Sequence, residues 1–431
     1  MIVLEYIKKA YHKELGKDIF WTLFGQIIIM VVLLLMNKAL SNLLTVEEFG
    51  RYNIVRRSTS VITFVLVGGL GITMPRYLSL YIGKKDVRGI QAYLFASWVY
   101  LLIIVGCVSL VYLLLYKELA TIVLGSNDFD FYVACLLYAV TAAINTYIYA
   151  YYRGIGKFKL FNLSQIIAQI LLLLPILFQI DNLFYIICSW TLLNIVFIIS
   201  ILVKENRNYH SVMCKFRASV KMDMVKLKEI FVYSFPRLLG DFFLFSYSAF
   251  PVVYVGYFLG QDQASYYSVG VSLVSMVTPI FSFLGVVLLP SISKMIAIKQ
   301  MPVANRLVSR VALVYLCLSL VLTTILYFKM DLLIHLFFAD KYLVAGEIGK
   351  ILALSLLPQS MYLLYRNPND AASVFPFNTI ILAVSFVLLV CGFLMFDTLS
   401  QFAYVYLAVA FVQCLLSMIV WYVFSSKKYE V

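Results

Sequence analysis

The chain has 431 residues, 63% of them hydrophobic and only 13% charged, with a mean hydropathy of +0.95. A water-soluble domain could not cover that much apolar surface, which excludes a soluble enzyme or binding module. The formal net charge of +13 would suit nucleic acid, but the basic residues lie in short gaps between apolar runs, so the charge reads as a topology signal and argues against a nucleic-acid partner.

The first apolar run, at about 19–41, follows Lys8, Lys9, Lys13 and Lys17 with no small-residue cleavage site, so it reads as a retained span. Further spans follow at about 53–75, 91–115, 132–151, 161–179 and 183–203. After a basic stretch at 204–229 come runs at about 230–255, 267–289, 308–328, 348–365, 378–396 and 402–424. Each is close to the ~20 residues that cross ~30 Å of hydrocarbon. They are continuous runs, unlike the short alternating segments of a β-barrel. The expected fold is all-α: a polytopic membrane protein of about 12 transmembrane helices.

Lys84, Lys85 and Arg88, then Arg153, Lys157 and Lys159, then the basic stretch from Lys204 to Lys228, mark every second gap. Acids such as Glu47, Glu48, Asp128, Asp130 and Asp262 mark the others. The positive-inside rule then puts both termini in the cytoplasm, and anionic lipid headgroups are natural partners for the basic gaps. The longest outer gap, 329–346, reads as a loop too short for the outer domain of a membrane polymerase or glycosyltransferase.

The two halves can be overlaid. With Thr45 on Gly260, TVEEFGRY falls on GQDQASYY and Pro75 on Pro290; with slight slippage, Tyr152-Arg153 meets Tyr365-Arg366 and Phe161-Asn162 meets Phe377-Asn378. Residue identity is weak, but loops, span ends and charge fall in register. The division is therefore a six-helix lobe at 1–203, a cytoplasmic linker at 204–229 and a second six-helix lobe at 230–431, the parallel-repeat plan of a two-lobed transporter around a central cavity.

Ionisable residues within spans are costly and mark pathways or partners. Arg237 and Asp241 lie at i and i+4 in SFPRLLGDFF. They can serve as an anion-gripping arginine and a coupling carboxylate, or as a mutual ion pair; the two readings are compatible. Arg56 and Arg57 lie near the outer end of span 2 and Lys38 at the end of span 1, either facing a cavity or reaching for headgroups. Arg76, Arg153 and Arg366 sit at cytoplasmic span ends, as anchors or as a basic vestibule, and Asp370 is placed to pair with Arg366. Tyrosines crowd at 147–152 and 254–267, as an interfacial aromatic belt or as surfaces for sugars.

Signals for catalysis are missing. The three histidines fall in loops or tails, and no P-loop, H-E-x-x-H or nucleophile elbow occurs. Seven scattered cysteines form no C-x-x-C, so neither a zinc site nor a disulfide framework is expected. No cofactor or metal is implied, and the chain is not read as an enzyme.

Several stretches in order carry a resemblance: LTVEEFGRYNIV, GGLGITMPRYLS, YYRGIGKFKLFNLSQ, SFPRLLGDFF, YFLGQDQASYYSVGVSLV and YRNPNDAASVFPFNT. Together, across essentially the whole chain, they resemble the Wzx-type polysaccharide-biosynthesis flippases, the polysaccharide transport family of the multidrug/oligosaccharidyl-lipid/polysaccharide exporter superfamily. The resemblance implies a flippase in a bacterial cytoplasmic (inner) membrane. Its substrate would be an oligosaccharide repeat unit on an undecaprenyl pyrophosphate carrier, moved to the outer leaflet by alternating access for O-antigen, capsule or exopolysaccharide. It implies membrane lipids, a polysaccharide polymerase and glycosyltransferases as partners, and, by analogy, Asp241 as the ion-coupling residue. The alternatives are a cation-coupled multidrug exporter of the same superfamily, which would favour an acidic cavity, and a membrane glycosyltransferase or polymerase.

Overall fold

In the computed structural model, residues 14–207, 223–297, 300–373 and 375–426 are described. The described residues form α-helices and a 3-10 turn. That is what a lipid environment demands, because a helix satisfies its backbone hydrogen bonds within one segment.

The first half contains α1 (Glu14–Leu43), α2 (Val46–Val67), α3 (Leu70–Gly83), α4 (Val87–Leu114) and α5 (Tyr116–Leu124). It continues with α6 (Phe129–Gly154), α7 (Phe158–Leu171), α8 (Leu174–Leu177) and α9 (Leu183–Arg207). The second half contains α10 (Met224–Leu259), α11 (Gln261–Ala297), α12 (Met301–Phe328) and α13 (Met330–Phe337). A 3-10 turn (Asp340–Ala345) precedes α14 (Gly346–Leu354), α15 (Leu356–Ala372), α16 (Phe377–Leu394) and α17 (Leu399–Ser426). Twelve stretches among the described residues are long and apolar enough to cross a membrane, and the fold is the expected all-α polytopic one. The helices run past the expected spans: the second stretch covers Val46–Gly83 and the seventh Met224–Leu259.

Local chemistry sets the helix ends. Thr45 and Glu48 form a reciprocal capping box on α2: Glu48 Oε2 accepts from the Thr45 N–H at 3.0 Å, and Thr45 Oγ1 accepts from the Glu48 N–H at 3.2 Å. Thr398 and Gln401 repeat the device on α17. Asp86 and Asp128 cap α4 and α6 by accepting from the Gly89 and Phe131 N–H groups. Helices α2 and α11, which start at Val46 and Gln261, keep the register that sets Thr45 on Gly260.

The segment at 329–346, expected as a loop, is helical instead. Its apolar residues find a core: Met330, Ile334, Phe338 and Tyr342 are all buried. The next expected span, 348–365, is broken at Ser355 between α14 and α15.

The chain packs as two compact units that each borrow a segment from the other half. The first unit holds the chain through Leu44 together with Ser58–Phe242; the second holds Thr45–Arg57 and Phe243 onward. Helices α2 and α10 are thus each divided between units, whereas the expected division ran through the linker, most of which lies outside the described residues. In the first unit, Ile230 of α10 is fully buried with Leu70, Met74 and Leu78 of α3 and Tyr93, Tyr147 and Tyr151. In the second unit, Gly50 lets α2 lie directly on the start of α11, where an added Cβ would stand 1.8 Å from the Gln261 carbonyl oxygen. Phe49 beside it packs on Tyr342 at 5.0 Å and Phe338 at 6.3 Å.

Candidate functional site

In the first unit the arrangement is built on α3. The chain enters α3 through Gly68 and Gly69, both left-handed at φ 59° and 76°, a conformation that costs other residues about 1–2 kcal/mol. Gly69 also admits α10: a Cβ there would lie 2.6 Å from the Ser234 carbonyl oxygen. Ser234 Oγ donates to Thr73 Oγ1 at 2.8 Å in a buried contact. These contacts fix Tyr233 and Arg237 of α10 beside Arg76 and Tyr77 of α3.

Tyr233 is then shared by two cations. The Arg237 guanidinium carbon lies 3.6 Å from the ring centre, and the Arg76 guanidinium carbon lies 4.5 Å from it. Arg237 Nη1 donates to the Tyr233 carbonyl at 2.9 Å, and Arg76 Nη1 donates to the Tyr233 hydroxyl. Tyr77 meets the same ring edge-on at 5.3 Å. Neither arginine enters an ion pair among the described residues. Arg153, at the end of α6, donates to the Gly71 carbonyl of α3 and lies 5.8 Å from the Phe161 ring.

Two expected candidates, Arg76 and Arg237, therefore meet on Tyr233, and a third, Arg153, reaches α3 separately at Gly71. Asp241 follows Arg237 by one turn and is half-buried. Lys38 stands elsewhere, half-buried near the end of α1, where its carbonyl accepts from Ser41 and Asn42. Sequence reasoning missed Tyr233 and Thr73. The signal available was the i, i+4 spacing of Tyr233 and Arg237.

The second unit carries Arg56, Arg57 and Arg366. Half-buried Arg57 donates from Nη1 to the Ser248 carbonyl at 3.1 Å. The phenols of Tyr52, Tyr267 and Tyr406 lie within electrostatic reach of its guanidinium. Arg56 is half-buried as well. Arg366 and Asp370, expected to pair, form no ion pair among the described residues. Asn378 of α16 intervenes instead, donating to the Asp370 carboxylate at 2.6 Å and to the Arg366 carbonyl at 2.8 Å. The aromatic-belt reading also fails for several tyrosines: Tyr147, Tyr151 and Tyr267 are fully buried, whereas Tyr257 is 62% exposed. Among the described residues, no group of three or more His, Cys, Asp or Glu is arranged to hold a metal ion.

A family model described as polysaccharide biosynthesis protein matches residues 15–296. No curated protein sequence matches the chain significantly. Among solved structures, an inward-facing multidrug resistance MATE family transporter of the MOP superfamily superposes with a TM-score of 0.70 at 12% identity, covering 92% of this chain and 93% of that one. An outward-facing structure of such a transporter gives 0.66 at 13% identity, covering 95% and 94%. A MOP superfamily transporter from Pyrococcus furiosus, described by the reverse polarity of its binding pocket, gives 0.66 at 13% identity over 95% and 94%. At these identities the likeness concerns the fold.

Proposed function

Because this chain belongs to the polysaccharide biosynthesis protein family and has the fold of the MATE transporters, we propose that it is a flippase for lipid-linked oligosaccharides. Its substrate is a sugar repeat unit on an undecaprenyl pyrophosphate carrier, moved from the cytoplasmic to the outer leaflet by alternating access, in a bacterial inner membrane with both chain termini cytoplasmic.

The observation that carries this reading is the pair of arginines on Tyr233. Diphosphate cannot enter hydrocarbon without replacement of its water. A guanidinium supplies permanent charge and a planar fork that matches phosphate oxygens. Arg76 and Arg237 are held by an aromatic ring and not by a carboxylate, so an incoming anion need not break an ion pair to reach them. A ring holds each cation by about 0.5–2 kcal/mol, little enough for a diphosphate to displace. In this reading Arg153, bonded to the same helix α3, adds positive potential and Asp241 couples transport to an ion gradient; unchanged export by Asp241→Asn would remove that last role.

A multidrug exporter is the second reading, and the fold is equally compatible with it. It predicts carboxylates at the binding site for cationic drugs, whereas paired arginines favour an anion. The Pyrococcus transporter described by a reversed pocket polarity offers a parallel for anion preference within this fold.

The test uses cells lacking the protein and labelled lipid-linked oligosaccharide. The flippase reading expects the label to accumulate in the cytoplasmic leaflet, with rescue by the wild type and not by Arg237→Ala at equal expression. Normal export without the protein would overturn it.

A further inference from the structure

The second unit holds buried polar groups that the arginine pair on Tyr233 does not use. The hydroxyls of Tyr247, Tyr267 and Tyr362 are buried and have no hydrogen-bond partner among the described residues. Their side chains are 6%, 0% and 4% exposed. A buried hydroxyl without a partner costs about 1–3 kcal/mol; the second unit holds others, Tyr342 among them, and it is those of Tyr247 and Tyr267 that call for a reason.

Their surroundings supply one. Arg57 binds the carbonyl of Ser248, the neighbour of Tyr247. Tyr247 packs on Tyr406 with ring centres 5.4 Å apart, and Tyr267 and Tyr406 both lie within electrostatic reach of the Arg57 guanidinium. Gln359 Nε2 donates to the Tyr406 hydroxyl at 3.1 Å, so the Tyr406 O–H is left to donate elsewhere. A guanidinium carries five N–H donors and no acceptor; Arg57 directs one of them to Ser248 and enters no ion pair among the described residues. The group therefore offers phenolic and guanidinium donors around one fixed positive charge, with Arg56 adjacent. Phenols accept as well as donate, so what favours an anion over a sugar hydroxyl here is the permanent charge of Arg57, which no carboxylate pairs among the described residues. An oxyanion needs donors and positive charge alone.

We propose that Arg57, Tyr247, Tyr267 and Tyr406 form an oxyanion site in the second unit that takes a phosphoryl group. The anion completes the hydrogen bonds of the tyrosines and occupies the open donors of Arg57. The source of the phosphoryl group is either the diphosphate of the carrier lipid or a free phosphate species; only the first depends on the flippase reading.

The experiment titrates inorganic diphosphate into the purified full-length protein in lipid nanodiscs at fixed ionic strength. With the first unit's pair removed by Arg76→Gln and Arg237→Gln, the proposal expects saturable binding, weakened about tenfold for each charge-assisted hydrogen bond removed in Tyr267→Phe and Tyr247→Phe, and lost in Arg57→Gln. Tyr257→Phe, at an exposed tyrosine, binds as the wild type does. An unchanged thermal midpoint without ligand shows that a variant is folded, and Arg57→Lys, which keeps the charge but loses the fork, serves if Arg57→Gln is not. No saturable binding overturns the proposal. So does wild-type affinity in the tyrosine variants combined with loss of binding in Arg237→Gln, which would move the anion to the first unit and leave the flippase reading intact. Competition by undecaprenyl diphosphate assigns the site to the lipid headgroup, and its absence assigns it to a free anion. Normal export in cells lacking the protein, with binding intact, would end the flippase reading and not the site.

Discussion

Arg237 lies 3.6 Å from the centre of the Tyr233 ring, one turn earlier on α10, and donates to the carbonyl of the same residue. Arg76, from α3, takes the hydroxyl of that tyrosine. One side chain thus positions two guanidiniums from two helices, and the ring matters more than the hydroxyl. Tyr233→Phe is expected to keep export within about threefold of wild type, while Tyr233→Leu, which loses both ring contacts, lowers it about tenfold or more. Export of labelled repeat unit at matched expression measures both; equal effects would place the role in the hydroxyl.

The buried bond from Ser234 to Thr73 makes a separate prediction about stability. Thr73→Val removes the buried bond between the two hydroxyls and should cost about 1–3 kcal/mol. Adding Ser234→Ala should cost less than it does in the wild type, because the two residues share that bond. Thermal unfolding of the detergent-purified variants reads this, and strictly additive losses would contradict it.

Gly69 precedes α3 and Gly83 is its last residue, and the two should respond in opposite directions. At Gly69 an alanine meets a left-handed backbone and a carbonyl oxygen at 2.6 Å, for a loss of about 1–2 kcal/mol or more. At helical Gly83 nothing lies within 4 Å, so alanine should gain about 0.5–1 kcal/mol. The same unfolding assay compares them.

Thr45→Ala removes one arm of the capping box on α2 and should cost about 1 kcal/mol. Thr45→Ser should be neutral. A loss shared equally by both variants would mean that methyl packing, and not the cap, matters at this position.

The twelve apolar spans were legible because each apolar run must hide its backbone in a helix. The register of the two halves was legible in part: Thr45 and Gly260 precede helices that begin at matching places. The packing into units was not. Nothing in the run at Thr45–Arg57 says that Gly50 will lie against the Gln261 carbonyl. For the same reason Arg76 and Arg237 could be named as candidates without the reason they meet, which lies in the fit of Gly69 to Ser234. Of the tyrosines around Arg57, Tyr267 was legible only as one of the crowd at 254–267, and Tyr247 and Tyr406 escaped notice because the group meets only through packing. The segment at 329–346 was misread as a loop because it is too short to span; its buried residues Met330, Ile334, Phe338 and Tyr342 fold it onto its own unit.

The central claim is that the protein moves lipid-linked oligosaccharide between leaflets. Its most direct test reconstitutes the purified chain in vesicles carrying fluorescent undecaprenyl-pyrophosphate oligosaccharide and follows loss of the label to a membrane-impermeant quencher. The account predicts that wild-type protein exposes the inner-leaflet pool and that Arg76→Gln with Arg237→Gln leaves it protected. Equal protection in vesicles with wild-type protein and in empty vesicles, by protein that is folded and inserted, would contradict it.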